Sequence, residues 1–463
     1  MNKADFIKRF RKTQATSPEA TLLGTFLAAM LVGSLLLASP LAQRAGAPLL
    51  GYVDALFMAV SATCVTGLTV VDVSSQFSLF GQAVILVLIE LGGIGIMTFA
   101  TFFVVLAGRE LTAKSESLIS ATIGGDENRN LKSLLTSTVA LAATCEAAGA
   151  AIFARAFHAG GMDWPHAAWH GLFHAVSSFC NAGFALRPDS LIGLRGDTAF
   201  MLATCALVIV GSLGFIVVSD VLNFRPWMRN IAKRRRLSLH SSLVLRTALL
   251  LIVFGTAAFL VFEWDNALAG MAPGGKVAVA AFQSMASRTC GFTTVDMSAT
   301  SLPTQFLTIL QMFIGGAPGS AAGGIKTTTF AVLLLTMAAI VGNRRATLYR
   351  SRAIPETVLR EAVAVFILSI IMVSATIGAL LVTENPPADD GSATRLFFDA
   401  VSACSTTGLS LGAAARLSVP GRVIVIVAMY LGRVGPLTAA FMIGRAGRTR
   451  TQLKYPEEDV IVG

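Results

Sequence analysis

Apolar residues run along this chain in long stretches that come in pairs, and a shorter apolar segment lies between the members of each pair. The long stretches are Ala20 to Ala42 and Ser78 to Gly108, Leu131 to Phe157 and Thr198 to Phe224, Ser241 to Glu263 and Phe306 to Asn343, and Leu359 to Thr383 and Val419 to Gly444. As helices rising ~1.5 Å per residue they are long enough to cross a hydrocarbon core of ~30 Å. The intervening segments, such as Tyr52 to Ala62, reach roughly 16 Å, so they enter a membrane without crossing it.

The short segments repeat one text. Phe57 to Leu68 reads FMAVSATCVTGL, Phe173 to Phe184 reads FHAVSSFCNAGF, Phe282 to Phe292 reads FQSMASRTCGF and Phe398 to Leu409 reads FDAVSACSTTGL. The third copy is one residue shorter, and every copy ends in a glycine followed by Leu or Phe: Gly67, Gly183, Gly291 and Gly408. The interval between copies is domain-sized, which makes a fourfold internal repeat rather than a solenoid. Irregular backbone inside a bilayer is tolerated only where protein covers it or where it lines a watery path, so four such loops imply one shared cavity. Glycine permits the positive φ that turns carbonyls to one side, and rings of carbonyls replace the hydration shell of a cation. Each loop follows the partially negative C-terminal end of its half-helix, which favours a cation over an anion.

The pattern predicts an all-α membrane protein of four tandem span, re-entrant helix, loop, span repeats around a pseudo-fourfold pore. The repeats cover residues 20–108, 131–224, 241–343 and 359–444. Their connections are basic, with Arg109 and Lys114, then Arg225, Arg229 and Lys233 to Arg236, then Arg344, Arg345, Arg350 and Arg352, and Arg445, Arg448 and Arg450 follow the last span. Glu263 to Asp265 and Glu384 to Asp390, on the opposite side, lean acidic. The positive-inside rule then gives eight spans, a cytoplasmic N-terminus (1–19), a cytoplasmic tail (445–463) and re-entrant loops that enter from outside. All four units point the same way, so the axis runs along the membrane normal. Symporters built on inverted repeats place their site between discontinuous spanning helices instead. A pore is the favoured reading, and a cation-coupled symporter of a small solute is the alternative.

Composition agrees. The chain has 463 residues, of which 54% are hydrophobic and 13% charged, and no stretch is hydrophilic enough for a soluble domain. The net charge of +10 sits in clusters beside the spans, as topology signals do, and implies no nucleic-acid partner. A basic start followed by a long apolar run resembles a signal peptide, but the run exceeds an h-region and the repeat requires an outer span there. Cys64, Cys180, Cys290 and Cys404 fall one to each copy, at unequal distances before the glycine, so they cannot form one ring of equivalent metal ligands and are read as packing residues.

Two interruptions of the spans stand out. Phe313 to Phe330 reads FIGGAPGSAAGGIKTTTF, which cannot be a regular helix and is read as a flexible loop in the conduction path. Tyr430 to Pro436 reads YLGRVGP, and an arginine there must face the interior, paired with carbonyls or with Glu90, or acting on the path directly. Glu90 and Glu146 are read as buried and hydrogen-bonded, and His166, His170 and His174, on one helix face near His158, as packed within their half-helix. No nucleophile or metal set for an enzyme is visible.

The texts TCVTGL, FCNAGF, SRTCGF and STTGLS, the loop GGAPGSAAGGIKTTTF and the segment GRVGPLT closely resemble the Trk/Ktr/HKT superfamily of potassium transporters, and the short N-terminus is more similar to the Ktr membrane subunit than to the Trk type. The resemblance covers essentially the whole chain. It implies a potassium filter at Val65, Thr66 and Gly67, at Asn181, Ala182 and Gly183, at Thr289, Cys290 and Gly291, and at Thr406, Thr407 and Gly408. It implies an intramembrane gate at Gly315, Gly316, Ala317, Pro318, Gly319, Ser320, Ala321, Ala322, Gly323, Gly324 and Lys326, and it implies that Arg433 projects into the pore as an electrostatic barrier. It further implies potassium as the transported ion with no covalent cofactor, a homodimer with one pore per protomer in the plasma (bacterial inner) membrane, and regulation by a cytosolic ring of nucleotide-binding subunits, with the nucleotide on that separate chain. The second and third filters, with Asn181 and Cys290, depart from the text of the first and fourth.

Overall fold

The computed structural model describes residues 18–95, 131–224, 237–344, 346–350, 352–387 and 391–435. The N-terminal basic cluster, the basic connections around 109–114 and 225–236, the ends of the spans at 96–108 and 436–444, and the tail lie outside the described residues.

Each repeat is built alike. In the first, α1 (Pro18–Ala38) is the outer helix, α2 (Tyr52–Thr63) the half-helix, and α4 (Leu79–Ile94), after the single turn α3 (Val73–Gln76), the inner helix. The second has α5 (Leu131–Ala159), α6 (Trp164–Phe179), α7 (Thr198–Leu213) and α8 (Phe215–Leu222). The third has α9 (Leu239–Glu263), α10 (Pro273–Thr289), α11 (Leu302–Phe313) and α12 (Thr327–Val341). The fourth, after a short hairpin of β1 (Leu348–Tyr349) and β2 (Arg352–Ala353), has α13 (Glu356–Glu384), α14 (Ser392–Ser405) and α15 (Val419–Val434).

Every half-helix is held between the outer and inner helices of its own repeat, and the inner helix of each repeat also touches the half-helix of the next: α4 touches α6, α7 touches α10, α11 touches α14, and α15 returns to α2. The cyclic order 1-2-3-4 therefore closes. The phenylalanine that opens each repeated text fills the seam, since Phe57, Phe173, Phe282 and Phe398 are all fully buried. Burying a side chain of that size removes enough apolar surface to contribute about 1.5–3 kcal/mol. Large apolar residues on α9 and α13, including Val253, Phe254, Ile371 and Val382, face outward and exposed, as a bilayer-facing surface requires.

Among the described residues, α5 (from Thr136), α9 and α13 are long and apolar enough to cross a membrane, and α7 with α8 makes a fourth if a bent pair counts as one span. The inner helices are shorter than their apolar text. Thr198 to Phe224 does not form one straight span: α7 and α8 meet at 108°, with the bend at Gly214. Helices α4 and α15 likewise end at glycines of positive φ, Gly95 and Gly435. Apolar residues continue across these points, but the glycines combine positive φ with extended ψ, a conformation outside the helix that glycine adopts without steric cost.

The acidic segments are only partly solvent-facing. Glu263, at the end of α9, is fully buried and accepts from the Ser301 backbone N–H at 2.9 Å, the Ser301 hydroxyl at 2.6 Å and the Thr304 hydroxyl at 2.5 Å. Glu384, at the end of α13, accepts from Ser418 N at 3.1 Å and Ser418 Oγ at 2.5 Å. In both repeats the carboxylate at the end of the outer helix satisfies the orphan donors that begin the inner helix. Glu263→Ala is expected to lower stability by about 2–3 kcal/mol, because buried donors lose a charged acceptor. Unfolding in detergent should show a clear loss for Glu263→Ala and almost none for the exposed Asp265→Ala; equal losses would contradict the capping role.

Candidate functional site

The four half-helices aim their C-terminal ends at a common point, and the backbone beyond them turns sharply. Val65, Asn181 and Thr406 adopt positive φ of 57°, 58° and 47°. For a β-branched residue that conformation costs on the order of 1–3 kcal/mol and persists only where surroundings enforce it. The third repeat has no counterpart: α10 continues through Thr289, and Cys290 has φ −106°. The one-residue deletion in the third text removes the left-handed residue, and Thr289 belongs to the helix rather than to the extended backbone.

Gly67, Gly183, Gly291 and Gly408 converge in a closed ring. Their φ values are 91°, 70°, 72° and 90°. An ideal Cβ on Gly67 would lie 3.2 Å from the Cα of Gly183, one on Gly183 3.1 Å from Gly291, one on Gly291 3.2 Å from Gly408, and one on Gly408 3.0 Å from Gly67. Each would also overlap the carbonyl preceding the next glycine. Neighbouring strands approach so closely that no side chain fits between them.

Water-accessible space lies on both sides of the ring. A vestibule of about 340 Å³ is bordered by all four glycines together with Thr69, Asp72, Arg187 and Ser410. There the Arg187 guanidinium, 3.0 Å from Asp189, holds that carboxyl below its ordinary range. A second cavity of about 310 Å³ is bordered by Gly92, Gly93, Ser320, Ala321, Lys326 and Arg433. Between them, the buried hydroxyls of Thr66, Thr406 and Thr407 have no protein hydrogen-bond partner.

The glycine-rich run between α11 and α12 folds into a compact loop under the fourth strand of the ring. Its neck is closed by Gly315 N to Ile325 O at 2.8 Å and Ile325 N to Phe313 O at 3.1 Å. Its body is tied to the bend of repeat two by Ala317 N to Ser212 O at 3.0 Å and Ala321 N to Gly211 O at 3.3 Å. A Cβ on Gly323 would overlap the Thr406 hydroxyl, so the loop presses on the ring itself. Three cationic side chains grip loop carbonyls. Arg288 donates to Gly315 O at 3.2 Å, Lys326 to Ala322 O at 2.7 Å, and Arg433 to both Ala321 O and Gly92 O. None of the ion pairs among the described residues involves these cations.

A family model described as TrkH, cation transport protein, matches residues 9–444. The chain belongs to this family. It is 33% identical over 454 residues to the Ktr system potassium uptake protein B of Vibrio alginolyticus, a match spanning 98% of this chain and 96% of the relative. It is 34% identical over 450 residues to the protein of that name in Bacillus subtilis (strain 168), spanning 97% of each. Over 459 residues it is 33% identical to the potassium/sodium uptake protein NtpJ of Enterococcus hirae, spanning 98% of this chain and 99% of the relative. The crystal structure of the potassium transporter TrkH from Vibrio parahaemolyticus superposes with a TM-score of 0.67 at 20% identity, covering 93% of this chain and 86% of that one.

Read as a TrkH-family protein, the chain brings together most of the residues that the repeated text marks. The ring glycines, their preceding residues and the glycine-rich loop meet at one axis, and Arg433 reaches the loop. Glu90 does not meet Arg433; it lies beside Cys180 and Glu146. The histidines do not form a metal site. His174 is buried against Phe153 and Phe200 and bonds Thr204 at 3.1 Å, whereas His166 pairs with Asp163 at the exposed end of α6.

The serine of the repeated text has a role that the pattern alone did not disclose. Ser61 Oγ donates to Leu68 O at 2.6 Å, Ser177 Oγ donates to Phe184 O at 2.8 Å, and Ser402 Oγ accepts from Gly408 N at 3.0 Å. Each hydroxyl reaches across the ring strand of its own repeat and fixes the backbone at or just past the glycine. Ala286 stands at this position in the third repeat. Ser61→Ala is expected to release Leu68 O at a cost of about 1 kcal/mol, which speeds hydrogen exchange at the amides of Thr66 and Gly67 about 5-fold. Unchanged exchange there would remove the tie.

Proposed function

We propose that this chain carries potassium into the cell down its electrochemical gradient, through a selectivity filter formed by the four ring strands and gated by the glycine-rich loop. The observation that carries the reading is the closed ring of glycines between two water-accessible cavities. Four helix C-terminal ends favour a cation there, and crowded backbone without side chains suits a dehydrated ion held by carbonyls. The names of the relatives support potassium; one of them is also named for sodium. A ring closed by repeats in cyclic order supports a pore over a carrier of a small solute, whose site would lie between inverted halves.

On this reading residues 20–108, 131–224, 241–343 and 359–444 are four units around the axis, eight spans lie in the plasma membrane, and both termini are cytoplasmic. The inner cavity then opens to the cytoplasm. The loop at 313–330 blocks it, held by Arg288, Lys326 and Arg433. A cation ~6 Å from Arg433 meets a repulsion of roughly 3 kcal/mol at an effective dielectric of ~20. The arginine acts twice, as a clamp on the loop and as a barrier charge. Relatives named as components of a Ktr system support a partner, here a cytosolic ring of nucleotide-binding subunits whose movement frees the loop, with the membrane chain as a homodimer.

Reconstitution of the purified chain alone into liposomes tests the transport reading: uptake of Rb⁺ driven by a potassium gradient, with no organic solute present, is expected, and strict dependence on such a solute would replace it with the symporter. Gly408→Ser is expected to raise the Na⁺ share of flux, because its Cβ collides with the first strand and displaces a carbonyl layer. Preserved discrimination in a folded variant would reject the filter assignment. For Arg433, the expected order of Rb⁺ flux is Ala above Lys above wild type, with the alanine variant faster by about 10- to 100-fold as one charged hydrogen-bonding group is lost. Equal flux in all three would reject the clamp.

A further inference from the structure

The geometry points to a cation site outside the pore axis, formed by Glu90, Glu146 and Cys180 and suited to a thiophilic divalent ion of the Zn²⁺ class. One carboxylate oxygen of Glu90, one of Glu146 and the Cys180 sulfur all lie within 4.8 Å of one another. The three residues come from separate elements: Glu90 from the inner helix of repeat one, Glu146 from the outer helix of repeat two, and Cys180 from the C-terminal cap of α6, next to the ring strand. Two carboxyl groups facing each other inside a membrane protein are costly unless a proton or a cation lies between them. Glu146 is only 8% exposed, and its Oε1 is buried with no hydrogen-bond partner.

The donor set selects the ion. Alkali and alkaline-earth cations take six or more oxygens and have no use for sulfur, whereas two carboxylate oxygens and a thiolate, with one position left for water, suit Zn²⁺ or its heavier congener Cd²⁺. Tetrahedral ligands of Zn²⁺ lie about 3.5 Å apart. Cys180 Sγ and Glu90 Oε2, at 3.6 Å, already have that spacing. Binding displaces the thiol proton and the proton shared by the two carboxyl groups, and both leave to water. The inner cavity lies close to the site, since Gly93, Ala142 and Phe179 border it and lie about one helical turn or less from Glu90, Glu146 and Cys180 respectively. Lys326 and Arg433 also border that cavity and oppose an entering cation.

The site does not depend on the potassium reading, and the test needs no transport. Cd²⁺ titrated into the purified full-length chain in detergent is expected to give a thiolate-to-metal charge-transfer band that saturates at one equivalent. Cys180→Ser should abolish the band and Cys145→Ser should keep it. Glu90→Gln and Glu146→Gln should each weaken binding by more than the about 10- to 100-fold that follows loss of an outer-shell partner. Zn²⁺ should also raise the thermal unfolding midpoint of the wild type and leave that of Glu146→Gln, which keeps the side-chain shape, unmoved. A band indifferent to Cys180, or an equal Zn²⁺ shift in wild type and Glu146→Gln, would overturn the site.

Discussion

Neighbouring backbones meet at Gly67, Gly183, Gly291 and Gly408 without room for a single methyl group, and the rest of the molecule is arranged to bring four chain segments to that contact. A ring this tight requires four half-helices that end at one depth, so each repeat spends a buried phenylalanine and two flanking helices on holding one. It also requires backbone that most residues avoid. Val65, Asn181 and Thr406 accept left-handed φ, and the helix seams and the hydroxyls of Ser61, Ser177 and Ser402 keep them there. The strain is local and the restraint is distributed.

Below the ring the described inner helices stop short of their apolar text. Positive-φ glycines end α4, α7 and α15 at Gly95, Gly214 and Gly435, and the glycine-rich loop ends α11 in the third repeat. The third differs most: its break has grown into a folded loop that touches the ring at Thr406 and the second repeat at Gly211 and Ser212. Backbone carbonyls left unpaired by such a loop are expensive in a membrane interior, and Arg288, Lys326 and Arg433 satisfy three of them. These side-chain contacts add to the backbone bonds that tie the loop to Ser212 and Gly211.

The helical membrane fold was legible in the long apolar stretches, and the recurring glycine text marked the four segments that converge, because glycine takes positive φ without steric cost. The glycine-rich run likewise announced a non-helical segment. Other features were hidden for physical reasons. Apolar text continues through Gly214, so hydropathy marks a straight span where the chain turns by 108°. Glu263 and Glu384 look like acidic loop residues, but they turn inward to cap helices about 40 positions away or fewer, a pairing that only the fold brings about. Arg433 offered two partners, carbonyls or Glu90, and local text cannot choose between them; the fold places the carbonyls of Gly92 and Ala321 at its guanidinium and sends Glu90 toward Glu146.

The central claim is that the glycine ring holds a dehydrated monovalent cation. It is tested most directly by locating the ion: crystals of the protein soaked in Rb⁺ or Tl⁺ would be measured for anomalous scattering. The account predicts a peak on the axis, among the backbone oxygens that precede Gly67, Gly183, Gly291 and Gly408. An ordered protein with no anomalous density inside the ring, or with density confined to sites elsewhere, would contradict it.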